Sequence, residues 1–174
     1  MSAVPVTAWQ QAVADALRAG GVEAVAYVPD ARLRGVVAAL APDGPRVRTL
    51  TREEECVAYA AAFQAAGGRA AVLMQNSGLG NALNAFGSFA IPSGIGVPVV
   101  LSMRGTLGEA NPSQVPMGRA TPALLAALGI QAFPVADEAA AGPATAGALT
   151  LAYEGRCSAA VVLEPQLGGQ REAV

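Results

Sequence analysis

Histidine is absent from all 174 residues of this chain. That removes Ser-His-Asp and Cys-His nucleophilic chemistry and most zinc sites. Any proton transfer must then use carboxylates, the backbone or a cofactor. Cysteine occurs twice, at Cys56 and Cys157. Two are too few for a disulfide scaffold and read as small buried hydrophobes in a reducing compartment. Aromatic residues make up only 5%, so the core must be built from Ala, Val and Leu. Such side chains let helices pack close to a sheet, yet each buries little area. A partner chain is therefore expected to complete the apolar surface. Basic runs are missing as well, and the formal net charge is −2. This argues against a nucleic-acid binder, whose affinity leans on phosphate neutralisation. The N-terminus lacks a basic region followed by an apolar run, and no apolar stretch reaches membrane-spanning length. A cytoplasmic protein without membrane attachment is the expectation.

What is present is a regular alternation of helix and strand patterns in a chain of 17.3 kDa, a size that suits one domain spanning 1–174. Helices are expected at Thr7–Arg18, Leu33–Leu40, from a Thr51 cap to Ala66, and at Gly80–Phe89. Further helices are expected from a Thr121-Pro122 start to Gly129 and over Asp137–Tyr153, where Gly142-Pro143 could break or kink the run. Strands are expected at Val22–Val28, Val47–Leu50, Ala70–Met74, Val97–Ser102, Ile130–Val135 and Ser158–Leu163. Several strands are uniformly apolar, which calls for a mostly parallel sheet covered by helices on both faces: a three-layer α/β domain. Arg104–Met117 reads as a long functional or interface loop, and the tail after Glu164 as frayed.

The segment Met74-Gln75-Asn76-Ser77-Gly78-Leu79-Gly80-Asn81 carries most of the functional signal. A buried parallel strand delivers such a turn to the carboxyl edge of a sheet, where α/β proteins place their sites. It is neither the dinucleotide fingerprint nor a Walker loop. Gln75, Asn76, Ser77 and Asn81 gather amides and a hydroxyl there. Asp30 and Arg104, following their own strands, reach the same edge. Arg104 offers a guanidinium fork suited to a carboxylate, sulfonate or phosphonate. Glu53, Glu54 and Glu55 open the helix after Val47–Leu50, where a helix N-terminus favours carboxylates. Consecutive helical residues point about 100° apart, so only one of the three can face the edge. Thr51 with Glu54 fits capping-box spacing.

Taken together, Thr51-Arg52-Glu53-Glu54-Glu55, Ala60-Ala61-Ala62-Phe63, the Met74–Asn81 segment and Met103-Arg104-Gly105 resemble the pyrimidine-binding domain of thiamine diphosphate decarboxylases. The similarity is greatest to the branch of sulfopyruvate decarboxylase alpha subunits and phosphonopyruvate decarboxylases, and covers about 8–165. The resemblance implies the pyrimidine-binding type of thiamine diphosphate fold. It also implies a carboxylate that hydrogen-bonds the cofactor's pyrimidine ring. Counting back from Phe63 assigns that carboxylate to Glu53, with Glu54 as the neighbouring register. Gln75, Asn76, Ser77, Gly78, Leu79 and Asn81 would line the cofactor, and Arg104, Asp30 and Asn76 the substrate. No Gly-Asp-Gly motif for diphosphate and Mg²⁺ occurs; Pro42-Asp43-Gly44 is the nearest approach. The resemblance thus implies half an enzyme, a lyase whose beta subunit holds diphosphate and magnesium, acting on a small anionic 2-oxo acid. A split lyase or carboligase of other specificity, or a non-catalytic α/β subunit, are the alternatives.

Overall fold

A computed structural model describes residues 4–41 and 44–167. The Pro42-Asp43 part of the Pro42-Asp43-Gly44 motif lies outside the described residues. Six strands form one parallel sheet in the order β2-β1-β3-β4-β6-β5. They are β1 (Ala24–Tyr27), β2 (Arg46–Thr49), β3 (Ala70–Gln75), β4 (Pro98–Ser102), β5 (Gln131–Val135) and β6 (Ala159–Leu163). The helices are α1 (Ala8–Ala19), α2 (Arg34–Leu40), α3 (Glu53–Ala65), α4 (Leu79–Ala85), α5 (Val115–Ala127) and α6 (Glu138–Tyr153).

Two apolar layers follow from the strand period of two. Val25, Tyr27, Leu73, Val161 and Leu163 join Trp9, Val13, Leu17 and Leu149 on one face, under α1, α2 and α6. Ala26, Val72, Met74, Leu101 and Val162 join Cys56, Val57, Leu79, Phe86 and Leu125 on the other, under α3, α4 and α5. Alanines on the central strands let the helices approach closely. Edge strand β2 carries the exposed charges Arg46 and Arg48, which discourage edge-to-edge pairing.

The expected α/β architecture is what forms, with local differences. Thr51 is not the cap of α3: the N-cap is Arg52, and Glu55 rather than Glu54 closes the capping box. Glu55 Oε2 accepts from Thr51 N–H at 3.3 Å, the Thr51 hydroxyl at 3.0 Å and Arg52 N–H at 3.2 Å. The 80–89 helix passes from α4 into a π-turn over Phe86–Ala90. Part of the expected 104–117 loop is helical, since α5 begins at Val115 after a 3₁₀ turn, Pro112–Gln114, capped by Asn111. Pro122 therefore lies inside α5 instead of opening a helix. Backbone contact explains the early start. A methyl on Gly118 would overlap the Gly105 carbonyl, and one on Gly105, at φ +81°, would overlap Gln114. Two bare Cα positions thus let α5 dock on the exit of β4. Pro143 neither breaks nor ends α6.

The tail also differs from expectation up to its described limit. Leu167 is buried in the core, and residues 168–174 lie outside the described residues. Arg32 holds this end. Its guanidinium donates to the carbonyls of Met103 (3.4 Å), Leu163 (3.1 Å), Glu164 (2.8 Å) and Leu167 (3.3 Å). It also lies over the Trp9 ring at 5.8 Å. One side chain after β1 thereby ties the carboxyl ends of β4 and β6. Replacing it by methionine leaves these carbonyls short of a charged donor, so Arg32→Met should lower unfolding stability by about 2–3 kcal/mol. A urea midpoint equal to that of the parent chain would refute this role.

Candidate functional site at the carboxyl edge of the sheet

Strand order reverses between β1 and β3, and the crevice outside the carboxyl ends at such a point is the usual ligand position in open α/β sheets. Asp30 follows β1 and Gln75 ends β3, and the two meet there. Gln75 Nε2 donates to Asp30 Oδ2 at 3.1 Å, and the Ser77 hydroxyl donates to Gln75 Oε1 at 2.6 Å. Asp30 is fixed from behind. Its Oδ1 accepts from the Arg32 and Leu33 N–H groups at 2.9 Å each. Its N–H donates to the Tyr27 hydroxyl at 2.8 Å, which in turn donates to the Asp30 carbonyl at 3.0 Å. The Tyr27 phenol is held above its ordinary pKa, first by burial, and so stays a donor. The result is a rigid polar ledge of hydroxyl, amide and carboxylate.

Glu53 is the first residue of α3, on the helix face that carries the buried Cys56, Val57 and Ala60. That face turns its side chain to the β3–α4 turn. A methyl on Gly78 would overlap Glu53 Cδ and Oε1, so only glycine leaves room for the carboxyl group there. Asn81 Nδ2 donates to Glu53 Oε2 at 3.2 Å. Glu54 points elsewhere, its Oε1 pairing with Arg52 Nε at 2.6 Å while Oε2 is buried without a hydrogen-bond partner. Glu55 is occupied by capping.

The remaining sequence candidates divide into surface and support. Gln75, Ser77 and Glu53 are half-buried and Asn81 is exposed. Asn76, Gly78 and Leu79 are buried and build the turn from within. Asn76 Oδ1 accepts from Arg104 N–H at 2.8 Å, and its Nδ2 donates to the Arg104 carbonyl at 3.2 Å and Thr121 Oγ1 at 3.1 Å. This staple joins the ends of β3 and β4 to α5. Arg104 makes a two-pronged pair with Glu109, Nε to Oε2 at 2.7 Å and Nη2 to Oε1 at 2.8 Å. That pairing raises the Arg104 pKa above its ordinary value. Glu109 and Thr121 went unnoticed in the sequence. Glu109 stands five residues from its partner, across a loop whose fold no local pattern announces. Thr121 resembled a helix cap.

Among the described residues, no cluster of three or more His, Cys, Asp or Glu could hold a metal ion, and no helix is long and apolar enough to cross a membrane.

Comparison with known proteins gives this edge its context. The family described as thiamine pyrophosphate enzyme, N-terminal TPP binding domain, matches residues 8–106, more than half of the chain. The chain belongs to that family. It is 40% identical over 121 residues to the sulfopyruvate decarboxylase subunit alpha of Methanothermobacter thermautotrophicus, covering 69% of this chain and 73% of that protein. It is 31% identical over 121 residues to the sulfopyruvate decarboxylase of Methanosarcina acetivorans, covering 70% of this chain but only 31% of that protein. A phosphonopyruvate decarboxylase from Streptomyces viridochromogenes is 38% identical over 107 residues, covering 60% of this chain and 27% of that protein. The solved 2-oxoglutarate:ferredoxin oxidoreductase of Magnetococcus marinus shares the fold. Its TM-score is 0.70 at 17% identity, over 94% of this chain and 30% of that one.

The two cysteines separate cleanly in this family member. Cys56 is buried, and burial, then the Glu53 and Glu55 charges, push its thiol up to about 12. Cys157, expected to be buried, is exposed, its thiol donating to the Gly155 carbonyl at 3.3 Å. Because the thiolate is the reactive form, iodoacetamide at neutral pH should label Cys157 and reach Cys56 only after denaturation. Mass spectrometry of the native protein showing equal labelling would contradict this.

Proposed function

We propose that the chain is the alpha, pyrimidine-binding half of a two-subunit thiamine diphosphate-dependent decarboxylase acting on a small anionic 2-oxo acid of the sulfopyruvate or phosphonopyruvate type. One observation carries the reading: of three consecutive carboxylates, Glu53 alone is seated against the Gly78 turn at the strand-order reversal. Its support is the likeness to relatives named sulfopyruvate decarboxylase subunit alpha.

The donor set suits an aminopyrimidine. The carboxyl group of Glu53 can share a proton with a ring nitrogen, and the Gln75 and Ser77 groups can serve the neighbouring nitrogens. Glycine at position 78 keeps the carboxyl group in reach, and a methyl there would displace it. Thiamine diphosphate supplies, when bound, a sink for the electron pair released with carbon dioxide. The chain's own residues have simpler tasks. Glu53 holds and exchanges the ring-nitrogen proton, Asn81 fixes its rotamer, and the Asp30–Gln75–Ser77 ledge sets the wall beside it. Since no histidine is available, Glu53 is the natural proton carrier. Diphosphate and Mg²⁺ belong to a beta subunit docked over this edge, in a cytoplasmic hetero-oligomer. Exposed Leu107, on the loop that follows β4 at this edge, supports such cover.

A second reading rests on Glu54, whose buried Oε2 lacks a partner and would gain one from a ring N–H. Both readings meet in one experiment, carbon dioxide release by the copurified two-subunit complex. Glu53→Gln should reduce turnover by about 10²–10⁴-fold with the complex intact. Gly78→Ala should mimic that loss at near-parental stability, since the flexible end of Glu53 can move aside. Activity retained in Glu53→Gln and lost in Glu54→Gln would shift the role one residue along. A cofactor-loaded complex inert toward every 2-oxo acid would instead leave the non-catalytic subunit standing.

A further inference from the structure

Three arginines that follow β1, β2 and β4 at this edge are engaged, while Arg34, at the start of α2, is exposed. Arg32 donates to four strand-end and tail carbonyls. Arg52 is paired with Glu54. Arg104, which follows β4 into the site, has the side-on edge of its guanidinium, Nε with Nη2, taken by Glu109. The Glu109 side chain is 2% exposed and that of Arg104 is 26% exposed. The carboxylate thus lies inside the loop and the guanidinium at its surface. Glu109 also accepts from the Gly105 N–H at 3.0 Å and the Asn111 N–H at 3.0 Å. Its carboxylate is therefore the organising centre of the 105–111 loop, and it sits where a carboxylate, sulfonate or phosphonate would engage Arg104 side-on.

We propose that Glu109 is a specificity-determining residue: by filling the Arg104 fork from inside the protein, it prevents this subunit from reading a second anionic group on the substrate. This rests on the decarboxylase reading above and names how its substrate charge is sorted. A planar guanidinium makes its strongest carboxylate or sulfonate contact through the paired Nε and Nη2 edge. With that edge closed by a buried carboxylate, an incoming anion meets a neutralised pair and only the Nη1 side. Arg104 then acts as a positioning residue for the loop. A charge that selects a 3-sulfo or 3-phosphono group then comes from outside this pair, from Arg34 at the start of α2 or from the partner subunit.

The test compares Glu109→Gln and the double variant Arg104→Met/Glu109→Gln with the parental two-subunit complex. Two readouts are taken: kcat/KM for sulfopyruvate relative to pyruvate, and calorimetric binding of sulfoacetate, which needs no turnover. Glu109→Gln opens the fork, and should raise the sulfopyruvate preference and the sulfoacetate affinity by about tenfold or more. The double variant Arg104→Met/Glu109→Gln removes the pair without leaving a buried charge unpaired, and should keep the preference ratio within about threefold of the parental value. If the double variant instead loses the preference and Glu109→Gln weakens sulfoacetate binding, Arg104 is the anion reader, Glu109 merely aims it, and the proposal is overturned. If Glu109→Gln alone fails to assemble, the ratio of the double variant decides between these outcomes. Should the complex release no carbon dioxide from any 2-oxo acid, the decarboxylase reading fails separately. Sulfoacetate binding still reports whether the fork is closed.

Discussion

The contact between the Glu53 carboxyl group and the bare Cα of Gly78 is the constraint around which this edge is organised. A carboxylate at the first position of α3 would ordinarily extend into solvent, where the helix N-terminus already favours it. Here it folds inward, because the β3–α4 turn offers no methyl at the point of approach. That turn must in turn be held at one height relative to α3. Asn76 does so from below, bonded to both backbone groups of Arg104 and to Thr121. The carbonyl network of Arg32 fixes the neighbouring strand ends.

Much of the charge at the edge is balanced internally, and this shapes what the chain can do by itself. Arg104 faces Glu109, Arg52 faces Glu54, and Arg32 faces carbonyl oxygens. An anionic substrate approaching this surface finds carboxylates whose partners are already chosen. Glu53 differs, because its neighbours are an amide and a glycine. The edge thus presents one carboxyl group held by an amide, beside a shaped polar wall.

Much of the architecture was legible because it rests on short-range chemistry. Uniformly apolar strands announced a parallel sheet, and the helix ends expected at Arg18 and Ala66 fall within one residue of those of α1 and α3. Proline misled where backbone geometry overrode it. Pro122 looked like a helix start, yet α5 was set earlier by the Gly105–Gly118 approach, a contact between residues thirteen apart whose only trace in the sequence is two glycines. The capping box slipped by one because both Glu54 and Glu55 satisfied a loose spacing rule, and only the hydrogen bonds of Thr51 and Arg52 distinguished them. The resemblance placed Asn76 beside cofactor and substrate, and nothing in the sequence announced its depth. Its full burial shows an amide matched to partners brought from β4 and α5.

The sequence by itself narrowed the class of chemistry open to this protein, since a chain without histidine leaves proton transfer to carboxylates, the backbone or a cofactor. It also determined the layered α/β design, because apolar periodicity is a local property that any tertiary arrangement must satisfy. Only the tertiary structure decided which glutamate turns inward, which amide is structural, and that Arg104 is paired rather than open. Those choices depend on contacts between segments far apart in the chain, where a missing methyl or a buried carboxylate counts for more than the residue's own type.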